Sequence, residues 1–404
     1  MEEQQTYLIA DRLIERSDTA LQSALAACHR SAARPRCMCV PGGVEMYVAR
    51  YHRFVVKCMP GTGALHHPRC IAYEPEPDVS GAGALVGTAM REGPDGLVDV
   101  SVRFALARQP GRSRPSAAAS DRPDVVAGAQ PMSLTAFLHL LMERAALQRW
   151  HPAMAGKRSY SLFQRYLLDA ACEIRMKGVL LRDLLFVPEP YYPEHKVAIA
   201  ARRNRRLSRL TVREDGRIPM LPIIGELKAI EQGATNRLVW LKHMPDLPLL
   251  IGAQVWERLA RKHRELIDTM DAVAQTRVVL AAIVWARSER ELHVDTMTLM
   301  LTSKVWMPLA GSHELGLHDA LVRAGRRFLK PLRYDAKSWG AFANFLLLDA
   351  GPRPLPLHVL DPWAELRDQQ EKQAAIDKDE GCWRWRLDHA MPALPPVATI
   401  GDDN

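Results

Sequence analysis

Apolar positions recur along the chain at two different spacings, and those spacings set the expected elements. In residues 5–28, Leu8, Ile9, Leu13, Ile14 and Leu21 fall near helical spacing among Asp11, Arg12, Glu15 and Arg16, so one amphipathic helix is expected, ending at Arg34-Pro35. A short hairpin is expected from Met46–Ala49 and Arg53–Lys57. Val98, Val100, Val102, Phe104 and Leu106 alternate with more polar residues, which predicts a strand over 97–106 after the turn Gly93-Pro94-Asp95-Gly96. Helical spacing returns at Leu134, Phe137, Leu138, Leu141 and Leu147 behind a capping Ser133. After a Trp150-His151-Pro152 corner, a second helix is expected from Ser159 or Ser161 to a C-cap at Gly178. A third is expected in the basic stretch after Tyr191-Tyr192-Pro193.

From there the pattern turns mainly to strands, expected at 209–214, 218–230, 237–244, 277–287, 292–307, 343–349 and 355–360. Helices are expected at 252–271 and 312–329, and Asp215-Gly216 supplies a turn. Strands and helices that do not alternate regularly predict an α+β, multi-domain fold rather than a doubly wound sheet. The expected layout is an N-terminal helix and cysteine-containing β module over 1–107, a Pro/Arg-rich linker over 108–132 and a basic, helix-turn-helix-like domain over 133–211. An α+β domain over 212–360 and a frayed acidic tail over 361–404, with a polar helix in it, complete the chain.

Composition adds constraints. Of 404 residues, 48% are hydrophobic and 25% charged, ordinary globular values that exclude wholesale disorder. The longest strongly apolar run, Val278–Ala286, is far short of the roughly 20 residues of a membrane helix, so no membrane partner is expected. No secretory signal follows the acidic start, and a cytoplasmic location is the expectation. The net charge of +8 divides into +13 for residues 1–360 and −5 for the tail, and Lys196–Arg213 carries seven cations and no acid. The seven cysteines are odd in number and too few for a disulfide scaffold.

Four of the potential metal donors cluster: Cys37 and Cys39, then His66 and Cys70, each pair beside a glycine turn, Pro41-Gly42-Gly43 or Gly61-Thr62-Gly63. Zinc takes four nitrogen or sulfur donors in a tetrahedron, and two close pairs on turns supply them, so a structural zinc is expected here. His67 is the alternate donor, Cys58 a packed thiol, and Cys28-His29 a weaker candidate. The alternative is a group of unligated surface cysteines.

Two further constellations point to nucleic acid. Lys157 and Arg158 sit at the start of the expected second helix with Arg165 one to two turns on, the end where cations neutralise phosphates in helix-turn-helix proteins. Arg202, Arg203, Arg205, Arg206 and Arg209 extend that surface, with Arg202, Arg206 and Arg209 on one helical face. A nucleic-acid partner, DNA by preference, is therefore expected, against a solvated face or docking of the acidic tail. Separately, Glu226-x-Lys228 on a strand has the pattern of divalent-metal nucleases of the restriction-endonuclease type. That fold needs a neighbouring aspartate, and Asp215 lies about 35 Å away along a straight strand. Lys242, His243 and Asp246 are the nearer company, and an ion pair of Glu226 with Lys242 or Lys228 is the plain alternative. A protein-interaction scaffold is the third reading.

Several stretches together resemble an uncharacterised bacterial family, the domain of unknown function numbered 1173. They include Cys37-Met38-Cys39, Met46–Arg50, Met59–Gly63 with His66 and Cys70, Trp150 and Ala155-Gly156-Lys157-Arg158. Phe186-Val187-Pro188-Glu189, Gly225-Glu226-Leu227-Lys228, Lys242-His243-Met244-Pro245, Trp306-Met307-Pro308 and Lys330–Tyr334 continue the set. The resemblance implies a plasmid or integrative-element context and carries no activity with it. This chain has Lys330-Pro331-Leu332 where the family pattern has Lys-Gly-Leu.

Overall fold

The computed structural model describes residues 5–50, 53–93, 96–108, 130–210, 216–269, 275–288, 291–337 and 340–398. Tyr7 and Ile9 on β1 (Thr6–Ile9) and Ile14 on β2 (Arg12–Glu15) are buried. Ala10 and Asp11 between them have φ of 48° and 61°, the two left-handed residues of a type I′ hairpin turn. The single helix expected over 5–28 is thus corrected to a hairpin followed by α1 (Leu21–His29). Leu8-Ile9 and Leu13-Ile14 fit either period, and pairing of β1 with β3 (Arg36–Cys37) decides for strand. With β4 (Val44–Arg50) and β5 (Phe54–Cys58), the hairpin expected there, an antiparallel sheet forms in the order β2-β1-β3-β4-β5. α1 lays Leu21, Leu25 and Cys28 on this sheet.

The next layer contains β6 (Met90–Glu92), β7 (Val98–Val100) and the short β8 (Ala107–Arg108), then α2 (Leu134–Arg144), β9 (Arg149–Trp150) and α3 (Tyr160–Ala170). Ser133 and Ser159 cap α2 and α3 by accepting from Ala136 N and Leu162 N. The second helix stops short of Gly178. Ile174 lies buried on β10 (Ile174–Met176), and Lys177-Gly178, with φ of 51° and 79°, turns the chain into β11 (Val179–Leu180). The expected C-cap is therefore a hairpin turn. α4 (Leu181–Leu184) and α5 (Lys196–Leu207) follow, α5 holding the basic stretch. Residues 109–129 of the expected linker and 211–215, with most of the strand expected at 209–214 and Asp215 of its turn, lie outside the described residues.

The centre of the molecule is a barrel. After the short β12 (Ile218–Pro219), which pairs with β8, come β13 (Leu221–Gln232), β14 (Arg237–Leu241) and β15 (Met244–Ile251). α6 (Ala253–Lys262) and α7 (Arg264–Thr269) lead to β16 (Thr276–Ser288) and β17 (Glu291–Ser303), and β18 (Pro308–Leu309) is appended to β17. The expected 237–244 strand is thus two, with β15 running on to Ile251. The order is β15-β14-β13-β16-β17, and a parallel pairing of Leu249 with Leu292 and Leu250 with His293 joins β17 back to β15. Numbered within the barrel, the strands run 1-2-3-5-4-1 with helices between the third and fourth, the topology of an OB-fold. The first strand serves both halves: Leu221–Glu226 pairs with β16 and Leu227–Gln232 with β14, with a bulge at Leu227/Ala229.

β16 explains its own unbroken apolar run. Leu280, Ala282 and Val284 join a core shared with Ile223, Val239, Leu249 and Leu292, while Val279, Ala281 and Ile283 pack with Phe137, Leu141 and Phe163 of α2 and α3. A strand buried on both faces has no polar side to alternate.

α8 (Leu315–Arg323) and a last sheet cover the barrel. β19 (Phe328–Leu329), β20 (Phe345–Leu347) and β21 (Leu355–Leu360) join β9 and, beyond α9 (Leu366–Lys378), β22 (Trp383–Arg386), in the order β22-β21-β20-β19-β9. The tail expected to fray is built in as far as residue 398: β22 runs parallel to β21, Lys372 of α9 is buried, and Ala398 N donates to Asp349 O at 2.9 Å. Leu329, Ala343, Leu346 and Leu348 also share a core with the N-terminal sheet. The chain is α+β, and no helix among the described residues is long and apolar enough to cross a membrane.

Candidate metal centre and basic surface

Cys37 ends β3, and the chain then turns on Gly42 and Gly43, both at positive φ, with Gly43 N donating to Val40 O. Gly43, at φ of 66° and with Cys37 O 3.1 Å from where a Cβ would stand, needs glycine's freedom for this turn. The second pair sits on a loop whose turns are closed by His66 N to Gly63 O and Cys70 N to His67 O. Arg149 of β9 clamps this loop, donating to the carbonyls of Cys70, Ile71 and Tyr73.

The result is a cluster in which one donor atom each of Cys37, Cys39, His66 and Cys70 lies within 4.8 Å of every other. Cys37 Sγ stands 3.7 Å from Cys70 Sγ, His66 Nδ1 3.2 Å from Cys39 Sγ and 3.8 Å from Cys70 Sγ. Sulfurs about 2.3 Å from a tetrahedral zinc stand ~3.8 Å apart, so the spacing and donor set fit such an ion. The proton balance agrees. Hydrogen bonds from Cys39 and Cys70 pull Cys37 far down toward thiolate, and the same sharing holds Cys70 as a thiol. Burial opposes charge on His66, but hydrogen bonds with Cys37, Cys39 and Cys58 outweigh it and push its pKa up. Protons here occupy places that a divalent cation takes when it binds.

Spacing left His66 and His67 open as donors; packing separates them. His66 is 2% exposed inside the cluster, while His67 Nδ1 accepts from Arg69 N. Cys58 stands behind His66, its Sγ 3.6 Å from Nε2 and donating to Ala72 O, so it orients the ring from the outer side. Gln5, missed by the sequence reading, aims Nε2 at Cys37 and Cys70. Cys28 is away from the cluster, bonded to Ala33 O.

The basic residues divide sharply. Arg158 is half-buried and donates to the carbonyls of Leu147, Val305, Ala146 and Arg149, so it ties elements together and its guanidinium is engaged by them. Arg203 is buried, in a bidentate pair with Asp246 at 2.6 and 2.7 Å. Arg202 pairs with Glu189, Arg206 donates to Arg182 O and Leu185 O, and Arg209 donates to Asp183 O. Arg202, Arg206 and Arg209, read as one phosphate-facing row, thus fasten this segment to residues 182–189, and two cations of the acid-free run, Arg202 and Arg203, pair with acids from outside it. Lys157, Arg165 and Arg205 are exposed and have no ion pair among the described residues, Arg165 lying over the Tyr166 ring.

Glu226 is buried among cations. Arg277 Nη1 is 2.7 Å and Lys242 Nζ 3.1 Å from Oε1, and His243 Nε2 is 3.7 Å from Oε2. Burial raises its pKa, but His243, Arg277 and Lys242 outweigh that and hold it down at about 2. Lys228 turns out to solvent beside the bulge, and Asp246 is taken by Arg203, so neither joins Glu226. The cysteine and histidine cluster is the only metal-ready group among the described residues. Arg277, 51 residues from Glu226, had no signal in local spacing.

Stretches far apart in sequence converge here: Tyr160 stacks on His243 at 3.6 Å and donates to Pro188 O, and Arg277 lies over Trp306. His243, Pro188 and Trp306 lie in stretches that carry the family resemblance, and a family profile described as protein of unknown function (DUF1173) matches residues 7–388. The chain belongs to the DUF1173 family. A search of curated proteins finds no match to it. The match covers the cysteine and histidine cluster, the barrel and the tail through β22 of this DUF1173 chain in one span.

Proposed function

We propose that this DUF1173 protein binds nucleic acid, DNA by preference, and holds one structural zinc through Cys37, Cys39, His66 and Cys70. The observation that carries the nucleic-acid reading is the closed barrel β13–β17 with OB strand order, an architecture that takes oligonucleotides and oligosaccharides on one outer face and its loops, in a chain whose +8 net charge suits the former. Exposed Lys157, Arg165 and Arg205 supply additional positive charge. The zinc holds the N-terminal sheet and the loop of Cys70 together. With all four donors from the protein, the metal keeps no open position for substrate. Plasmids and integrative elements, the context implied by the resemblance, and a cytoplasmic location suit a DNA-binding role. Glu226, ringed by cations, reads as a structural ion pair, which favours binding over metal-dependent cleavage.

Purified protein should contain about one zinc per chain by metal analysis and bind labelled DNA with an affinity that falls steeply with salt. Binding unchanged between about 50 and about 200 mM salt refutes the nucleic-acid reading, and a metal-free folded protein refutes the zinc.

A further inference from the structure

Residues 185–189, α3 and α5 line a cavity of about 270 Å³, near the lower end of small-ligand pockets and room for roughly nine waters. Its apolar side is fixed by the core. Leu185 and Val187 are buried with the side chains of α2 and α3, Val187 O accepts from Gln164 Nε2 at 3.0 Å, and Pro188 O accepts from Tyr160 Oη at 2.9 Å. Phe186 N donates to Pro222 O and Ile224 N to Phe186 O, which ties the same segment to β13. Leu168 of α3 and Ile199 of α5 complete the apolar wall. Arg202, paired with Glu189, and Arg206, bonded to Arg182 O and Leu185 O, hold α5 in place over it.

The polar lining is nearly all of one sign. Arg182, Arg202, Arg203 and Arg206 share it with a single carboxylate, Glu189, and Asp246 pairs with Arg203 from outside the lining. Arg182 and Arg206 make no ion pair among the described residues. Arg182 donates to Leu168 O at 3.0 Å, as Arg206 does to its two carbonyls, and a carbonyl neutralises no charge. Burial, then Arg209 and Arg182, lower the pKa of Arg206 despite Asp183 nearby, as positive charge short of anions does. His243, also in the lining, is engaged: its Nδ1 accepts from Tyr191 N and its Nε2 faces Glu226. Arg203 has a donor left over. It is 9% exposed, both Nη atoms go to Asp246, and its Nε is buried without a hydrogen-bond partner. An unmet buried donor is destabilising, and an acceptor entering the cavity relieves it.

We propose that this cavity binds a small organic anion, its compact apolar body against Leu168, Val187, Pro188 and Ile199 and its carboxylate among Arg182, Arg203 and Arg206. The apolar wall calls for a body that an inorganic ion lacks, and the guanidiniums for a charge that a hydrocarbon lacks. This site is independent of the nucleic-acid reading.

The test is isothermal titration of the full chain with three probes. 2-Naphthoate has both parts, 2-naphthalenemethanol has the rings without the charge, and inorganic phosphate has the charge alone. 2-Naphthoate should bind at one site per chain, about tenfold or more tighter than either of the others. Arg182→Gln, at an exposed position, should weaken 2-naphthoate roughly tenfold and leave the alcohol unchanged, with Arg182→Lys restoring part of the loss. Leu168→Trp, which fills the cavity from α3, should weaken both naphthalenes roughly tenfold or more. No binding of 2-naphthoate, or binding no tighter than the alcohol, overturns the anion site. Phosphate as tight as 2-naphthoate overturns the organic body. Full affinity in Arg182→Gln or in Leu168→Trp puts the probe elsewhere and overturns the location. The comparison of probes on the unsubstituted chain needs no variant to fold.

Discussion

Replacing Glu226 with glutamine keeps its shape and removes the charge that Arg277, Lys242 and His243 share. The carboxyl is held at about 2 against an ordinary 4.5, a gap that corresponds to ~3 kcal/mol of stability at neutral pH. Breaking a buried ion pair by losing one partner costs about 3–5 kcal/mol. Glu226 is 6% exposed, but the Lys242 side chain is 49% exposed and water shares its charge, so the lower end applies. The sign follows from a depressed acid. The contribution is complete above the unfolded value near 4.5 and is lost as pH falls through the folded value near 2. Urea unfolding followed by tryptophan fluorescence should therefore give a wild-type to variant gap of ~3 kcal/mol at about pH 7 and about pH 6. The gap should shrink to ~2 kcal/mol at about pH 3.5. A gap under about 1 kcal/mol at neutral pH, or one that does not change at the acid end, refutes this electrostatic account.

Cys39→Ser should lose the metal and expose the N-terminal sheet to hydrogen exchange, whereas Cys58→Ala should keep about one zinc per chain, both checked by elemental analysis with exchange mass spectrometry. Gly81→Ala puts a methyl 1.8 Å from Arg333 O, while Gly81 N is held by Leu332 O. A loss of about 3 kcal/mol or more in chemical denaturation is expected. Arg158→Gln should destabilise by about 2 kcal/mol through the half-buried carbonyls it leaves unpaired and leave the salt slope of DNA binding unchanged. Lys157→Gln and Arg165→Gln should do the reverse, lowering the slope in a salt titration without altering the urea midpoint.

The strong local signals held. Ser133 and Ser159 cap their helices, Val278–Ala286 lies in a strand buried on both sides, and the pairs Cys37/Cys39 and His66/Cys70 meet. Each rests on neighbours in sequence: a cap on the residues after it, a metal pair on a glycine turn. Where two periods fitted equally, as at Leu8-Ile9 and Leu13-Ile14, the strand partner decided, and it comes from Cys37 across the N-terminal sheet. Charge was the least legible property. Seven cations without an acid read as one phosphate surface, and the sequence could not show that Glu189 and Asp246 pair with two of them, Arg202 and Arg203.

The sequence by itself determined the α+β composition, the cluster of Cys37, Cys39, His66 and Cys70 that could hold a metal, and the family to which the chain belongs. These depend on residue type and short spacing, and short spacing survives in an unfolded chain. Only the tertiary structure decided that β17 returns to β15 to close a barrel, that Arg158 and Arg203 are structural, and that the tail is part of the fold. Those outcomes turn on which distant groups meet when apolar faces are buried, and Coulomb and hydrogen-bond energies act through space, not along the chain.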